Sequence, residues 1–91
     1  LTIKRSAIAG TLESSDLLVE VFPGERGVEI ELESAVIVQF GDSIRQTILE
    51  TTKGLDIEDV RIHVVDRGAL DCTIRARVET ALLRAKGECA I

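Results

Sequence analysis

The sequence predicts an α+β fold: a two-layer sandwich, with two helices on one face of a mainly antiparallel sheet, in the order β-β-β-α-β-α. Three observations predict it. Apolar and charged residues alternate over 28–33 and 60–65, as in strands with one wet face. Apolar residues recur every three or four positions over 37–48 and 70–85, the spacing of an amphipathic helix. Each helical stretch then meets a glycine, Gly54 or Gly87, which can end a helix with left-handed φ.

Taken in order, Ile3 to Ala9 reads as a weak first strand. Leu17 to Phe22 is a second, with Leu17, Val19 and Val21 on one face and Leu18, Glu20 and Phe22 on the other. Pro23-Gly24 has the order expected at the centre of a type II turn. Val28, Ile30 and Leu32 then alternate with Glu29, Glu31 and Glu33, predicting a half-buried antiparallel strand. Ser34 is placed to cap a helix running to Lys53, whose apolar stripe is Ile37, Phe40, Ile44 and Ile48. Gly41 lies inside that stripe and implies a close packing contact, since glycine costs about 1 kcal/mol against alanine there. Val60, Ile62 and Val64 face inward on the fourth strand, with Arg61 and His63 outward. Asp66-Arg67-Gly68 turns the chain into a helix from Leu70 to Lys86, with a stripe of Leu70, Ile74, Val78, Ala81, Leu82 and Ala85.

Composition narrows the function. Ninety-one residues make a single domain, 1–91, with a modest core. Phe22 and Phe40 are the only aromatic residues and the net charge is −5, which argues against stacking on bases and against binding phosphate backbones. Seven acids lie between Thr11 and Glu33 against Arg26 alone. Five bases (Arg67, Arg75, Arg77, Arg84, Lys86) lie between 67 and 86 against Asp71 and Glu79. Two readings fit this asymmetry: docking against complementary partners through the basic face of Arg75, Arg77 and Arg84, or a solvated surface with internal ion pairs. Cys72 and Cys89 form neither a disulfide framework nor a CxxC site, so reduced thiols in a cytoplasmic protein are expected. The sequence shows neither a signal peptide nor an apolar run of membrane-spanning length.

The chain offers little with which to run a reaction unaided. His63 is the only histidine, and its outward position beside Arg61 suits pairing with the glutamate row across the sheet better than general base work. Cys72 falls in the first turn of the last helix and reads as a small packing residue. The row Glu29, Glu31 and Glu33 is too widely spaced along a strand for one small ion. Asp56, Glu58 and Asp59 lack the spacing of a calcium loop. Ser43 in Gly41-Asp42-Ser43-Ile44 imitates the Asp-Ser-Leu site of ordinary acyl carrier proteins, yet it sits within a predicted helix and reads as coincidence. Ser14 is better placed: it lies in the exposed stretch Ala9-Gly10-Thr11-Leu12-Glu13-Ser14-Ser15-Asp16, between two predicted strands, where backbone is adaptable. The alternative role for Ser14 and Ser15 is that of plain turn residues.

Three blocks, Ala9-Gly10-Thr11-Leu12-Glu13-Ser14, Gln39-Phe40-Gly41-Asp42-Ser43-Ile44-Arg45, and Gly68-Ala69-Leu70-Asp71-Cys72 with Arg75-Ala76-Arg77, resemble the acyl carrier (gamma) subunits of citrate lyase. The main departure is Ser15, where that family's pattern has glycine. The resemblance implies a non-catalytic carrier whose serine, here Ser14, holds 2'-(5''-phosphoribosyl)-3'-dephospho-coenzyme A through a phosphodiester. It further implies a dedicated prosthetic-group transferase, and alpha (acyltransferase) and beta (lyase) partner subunits. In citrate fermentation, acetyl on the arm's thiol is exchanged for citryl, which is cleaved to oxaloacetate. Glu13 and Asp16 would be candidates to position the transferase or a metal it brings. The alternatives are the carrier subunit of malonate decarboxylase and a non-covalent regulatory or binding module.

Overall fold

A computed structural model describes residues 3–34 and 37–87, with the backbone alone at 37–39. The elements are β1 (Ala7–Gly10), β2 (Leu17–Pro23), β3 (Val28–Ser34), α1 (Ile37–Gly54), β4 (Val60–Asp66) and α2 (Asp71–Lys86). This is the predicted order, and both helices cover one face of a four-stranded sheet of order β1-β2-β4-β3. The alternation read from sequence sets the faces of β2 and β4. Leu17, Val19, Val21, Val60, Ile62 and Val64 are buried beneath Ile74, Val78, Ala81 and Leu82 of α2 and Ile44 and Ile48 of α1. Burying side chains of this size stabilises the fold by roughly 1.5–3 kcal/mol each, before the entropy of ordering them.

The sheet is mainly antiparallel, but β3 corrects the expectation made for it. The pairs β1–β2 and β2–β4 are antiparallel, whereas β3 runs parallel to β4, from Val28 opposite Val60 to Ser34 opposite Asp66. Alternation reports which face of a strand is wet and is silent about the direction of its neighbour. Here β4 inserts between β2 and β3, and α1 makes the crossover that a parallel pair requires.

Two local expectations also change. Pro23-Gly24 does not form the type II turn, because Gly24 lacks positive φ; a Cβ there would lie 2.9 Å from the backbone N and C of Val60. Gly24 therefore permits close approach of two backbones, and the left-handed residue is Gly27, with φ 81°. Gly27 donates its N–H to Asp59 Oδ1 at 2.8 Å and accepts from the Val60 N–H at 3.1 Å. Ser34, expected to cap α1, is the last residue of β3, where its Oγ donates to Asp66 Oδ2 at 2.9 Å; residues 35 and 36, which join it to α1, lie outside the described residues. β1 is also shorter than predicted, although Ile3 ahead of it is buried in the core.

Helix α1 runs through Gly54, which lacks positive φ, and the left-handed residue that follows is Asp56, with φ 57°, whereas α2 stops at its glycine. Gly87 has φ 83° and donates its N–H back to Arg84 O at 3.1 Å. The buried side of α1 is rotated from the predicted stripe: Gly41, Ile44, Thr47, Ile48 and Thr52 are buried, and Phe40 is 54% exposed. The threonines tolerate burial because their hydroxyls donate to carbonyls one turn back, Thr47 to Ser43 and Thr52 to Ile48. The Ile37 side chain lies outside the described residues. On α2 the stripe holds from Ile74 to Ala85, while Leu70 is 72% exposed.

On the open face of the sheet His63 pairs with glutamates, as expected. Its Nδ1 lies 3.1 Å from Glu20 Oε1 on β2 and its Nε2 2.6 Å from Glu33 Oε2 on β3. The hydrogen bonds to Glu33 and then Glu20 raise the His63 pKa above its ordinary 6.5. The pairing contributes fully below pH 6.5 and is lost as the pH rises through the raised native pKa. His63→Gln is therefore expected to destabilise at pH 5.5 by up to about 1 kcal/mol, Glu33 being exposed, and to have little effect at pH 9. Urea unfolding of both proteins at the two pH values checks this.

Candidate functional site: the Ser14 turn

The chain leaves β1 at Gly10 and enters β2 at Leu17, and the six residues between them are closely built. Gly10 has φ 89°, and a Cβ on it would stand 1.9 Å from the Leu17 carbonyl oxygen. That oxygen accepts the Thr11 N–H at 3.2 Å, closing the neck of the loop. Glu13-Ser14-Ser15-Asp16 forms a β-turn, with the Asp16 N–H donating to Glu13 O at 3.2 Å. φ is positive at Ser15 (66°) and not at Ser14, the pattern of a type II turn. Its third position favours glycine, which accounts for the residue found there in the family that this sequence resembles.

Asp16 organises the loop. Its carboxylate accepts from Thr11 Oγ1 (2.8 Å), the Leu17 N–H (2.8 Å), and Arg77 Nε (3.1 Å) and Nη2 (3.2 Å). These bonds, from Thr11 first and then Arg77, hold its pKa below the ordinary 3.8. The Asp16 side chain is only 14% exposed. This replaces the expectation that Asp16 faces a modifying enzyme or its metal: the carboxylate is consumed inside the loop. No group of three or more metal-ligating side chains occurs among the described residues.

Arg77 comes from α2, sixty-one positions away, and sequence reasoning about the loop missed it. No local spacing signals such a pair. The other arginines of that helix act similarly: Arg75 Nη2 meets Glu50 Oε2 of α1 at 2.9 Å, and Arg84 Nη1 donates to Ile8 O of β1 at 2.8 Å. The basic face therefore ties α2 to its neighbours, the second of the two readings above. Losing a charge-assisted pair of this kind costs about 1–2 kcal/mol. Arg77→Met and Asp16→Asn should each lose about that much at pH 7, and the double variant little more than either, read as urea midpoints in a double-mutant cycle. The Asp16 contribution is present above about pH 4 and lost as the pH falls through the lowered native pKa.

With Thr11 and Asp16 turned inward, Ser14 is left at the apex. It is exposed, and its hydroxyl makes no hydrogen bond among the described residues. Ser15 is exposed too, but its N–H donates to Arg67 O at 2.8 Å while the Arg67 N–H donates to Asp16 O at 2.9 Å, so the turn is fastened to the end of β4. Beyond Arg67 the chain forms one wall of an apolar groove of about 530 Å³ between α1 and α2, lined by Phe40, Ile44, Ala69, Leu70 and Ile74. The other candidates lie outside the Ser14 turn. Ser43 is in the second turn of α1 and lines that groove, and His63 is on the far face of the sheet. Cys72 is in the first turn of α2 but exposed rather than packed, and Cys89 lies outside the described residues.

Fold and site together define a small α+β scaffold that presents two adjacent serine hydroxyls, Ser14 and Ser15, on a braced turn. The family model described as "ACP: Malonate decarboxylase delta subunit (MdcD)" matches residues 4–85. Among curated relatives, the citrate lyase acyl carrier protein of Lactiplantibacillus plantarum is 49% identical over 85 residues, covering 93% of this chain and 88% of the relative. That of Enterobacter sp. strain 638 is 51% identical over 88 residues, covering 97% and 91%. A chain of the Pseudomonas malonate decarboxylase hetero-tetramer in complex with malonate superposes with a TM-score of 0.81 at 22% identity, over 92% of this chain and 87% of that one, a likeness of fold alone. The chain belongs to the family of citrate lyase acyl carrier proteins.

Proposed function

We propose that this chain, acting as one domain over 1–91, is the acyl carrier subunit of a citrate lyase and is modified on Ser14. The observation that carries the reading is the exposed, unpartnered Ser14 hydroxyl at the apex of a turn braced by Asp16 and Arg77. Its cofactor would be 2'-(5''-phosphoribosyl)-3'-dephospho-coenzyme A, joined by a phosphodiester. The site fits such a group: the hydroxyl is accessible, and its neighbours Thr11 and Asp16 bond each other rather than Ser14. When bound, the group supplies the thiol that carries the acyl unit.

This chain's own residues do three things. Ser14 anchors, the Asp16–Arg77–Thr11 network holds the anchor's orientation, and the Ser15–Arg67 bonds fix the turn to the sheet so that the tether swings from a firm point. A tether of this kind raises the concentration of its cargo at two active sites without tight binding at either. The partners are then a prosthetic-group transferase and the alpha (acyltransferase) and beta (lyase) subunits, in the cytoplasm. Among the described residues no helix is long and apolar enough to cross a membrane.

The family model's description keeps a second reading in view, the carrier of malonate decarboxylase. Supplying the loaded carrier in turn to citrate lyase subunits and to malonate decarboxylase subunits separates them. Oxaloacetate formed from citrate in the first mixture, with no malonate consumed in the second, is the expected result. The reverse pattern contradicts the proposal.

A further inference from the structure

Among the described residues four large apolar side chains are more than half exposed: Ile8, Leu12, Phe40 and Leu70. Three of them belong to the Ser14 end of the fold. Leu12 is in the turn-bearing loop, Leu70 follows the Arg67 to which that loop is bonded, and Phe40 lines the same groove as Leu70. Exposed apolar side chains grouped around a concave site mark a surface that becomes covered. The acids nearby supply the second half of the argument. Glu13, Asp42 and Asp71 are exposed, and none has an ion pair among the described residues; of the bases nearby, Arg67 is exposed, and Arg75, one turn beyond Asp71, is exposed but paired with Glu50. An apolar centre with an unneutralised acidic margin is the anatomy of a protein interface whose mate is apolar and basic.

Resting on the carrier reading, we propose that this groove and its rim are the docking surface for the subunits that act on the carrier's arm, and that the docking partner brings an aliphatic or aromatic side chain flanked by arginine or lysine. Any active site that serves Ser14 has to approach this end, and the groove continues the anchor turn through Arg67 and Gly68. Its volume of about 530 Å³ suits one or two inserted side chains. The arm itself is a poorer occupant. It starts from Ser14 as a phosphate, and Glu13 and Asp71 repel that charge.

The test measures binding of the unmodified carrier to purified alpha and beta subunits of citrate lyase from the same organism, in 50 and 300 mM salt. Leu70→Glu and Asp71→Lys alter the surface, and Ile8→Glu on the opposite sheet face is the control. Circular dichroism establishes that each is folded. Leu70→Glu should weaken binding to at least one subunit by about tenfold or more, as expected for a central apolar contact. Asp71→Lys should weaken it about threefold or more at low salt and less at high salt, with Ile8→Glu within twofold of wild type. Unchanged binding by both surface variants overturns the proposal and leaves the carrier reading standing. It is overturned equally if Leu70→Glu instead dissolves a dimer of this chain, or if groove amide resonances shift on loading the arm while Leu70→Glu leaves subunit binding intact. If wild-type carrier binds malonate decarboxylase subunits and not those of citrate lyase, the citrate assignment falls. Loss of that binding in Leu70→Glu would then still support the surface.

Discussion

Gly10→Ala is expected to lower stability by about 3 kcal/mol or more, enough to shift the melting temperature of a domain this size by more than about 12 °C. Two effects combine. At φ 89° an alanine pays roughly 1 kcal/mol in local strain. Its Cβ would also stand 1.9 Å from the Leu17 carbonyl oxygen, a backbone atom that cannot rotate away. Relief requires β1 and β2 to separate at the point where Gly10 pairs with Leu18, breaking the Thr11–Leu17 bond. The damage should concentrate in the site. Hydrogen exchange should show the amides of Thr11, Asp16 and Leu17 losing protection before those of β4 and α2. Thermal melting with amide exchange measures both effects. A variant as stable as wild type would mean that the loop neck is not closed as described.

Ser14→Ala should abolish modification by the prosthetic-group transferase and change stability by less than about 0.5 kcal/mol, because the hydroxyl is exposed and bonds nothing described. Ser15 behaves in the opposite way. Its backbone lies at φ 66°, where a side chain is strained, so Ser15→Gly should stabilise by about 0.5–1 kcal/mol while modification continues. The pair separates anchor from support by mass spectrometry after incubation with the transferase, alongside denaturant midpoints. Modification that persists in Ser14→Ala and stops in Ser15→Ala would move the anchor by one residue.

The readable parts of the fold share a local cause. The period-two faces of β2 and β4, the α2 stripe from Ile74 to Ala85 and the stop at Gly87 each follow from spacing within a dozen residues. The pairing of His63 with the glutamates was legible too, because alternation places all three residues on one face. What could not be read depends on distant chain. Nothing in Val28–Ser34 reveals that β4 runs parallel beside it. Phe40 and Leu70 match the helical spacing, yet each sits at the margin of its stripe, where a small rotation of the helix decides between core and groove rim. At the site, the exposure of Ser14 follows from its loop, but the enclosure of Asp16 does not. Its partner Arg77 lies on the last helix, and only the packing of α2 against β1 and β2 brings the two together.

The claim on which the function rests is that this polypeptide supplies an anchor and that its reacting group is attached later. Peptide-mapped mass spectrometry of the subunit purified from its own host tests it most directly. The account predicts that the peptide containing Thr11–Asp16 carries the added mass of a phosphoribosyl-dephospho-coenzyme A group, with fragment ions assigning it to Ser14. An unmodified peptide, from a preparation that still supports citrate cleavage, would contradict it.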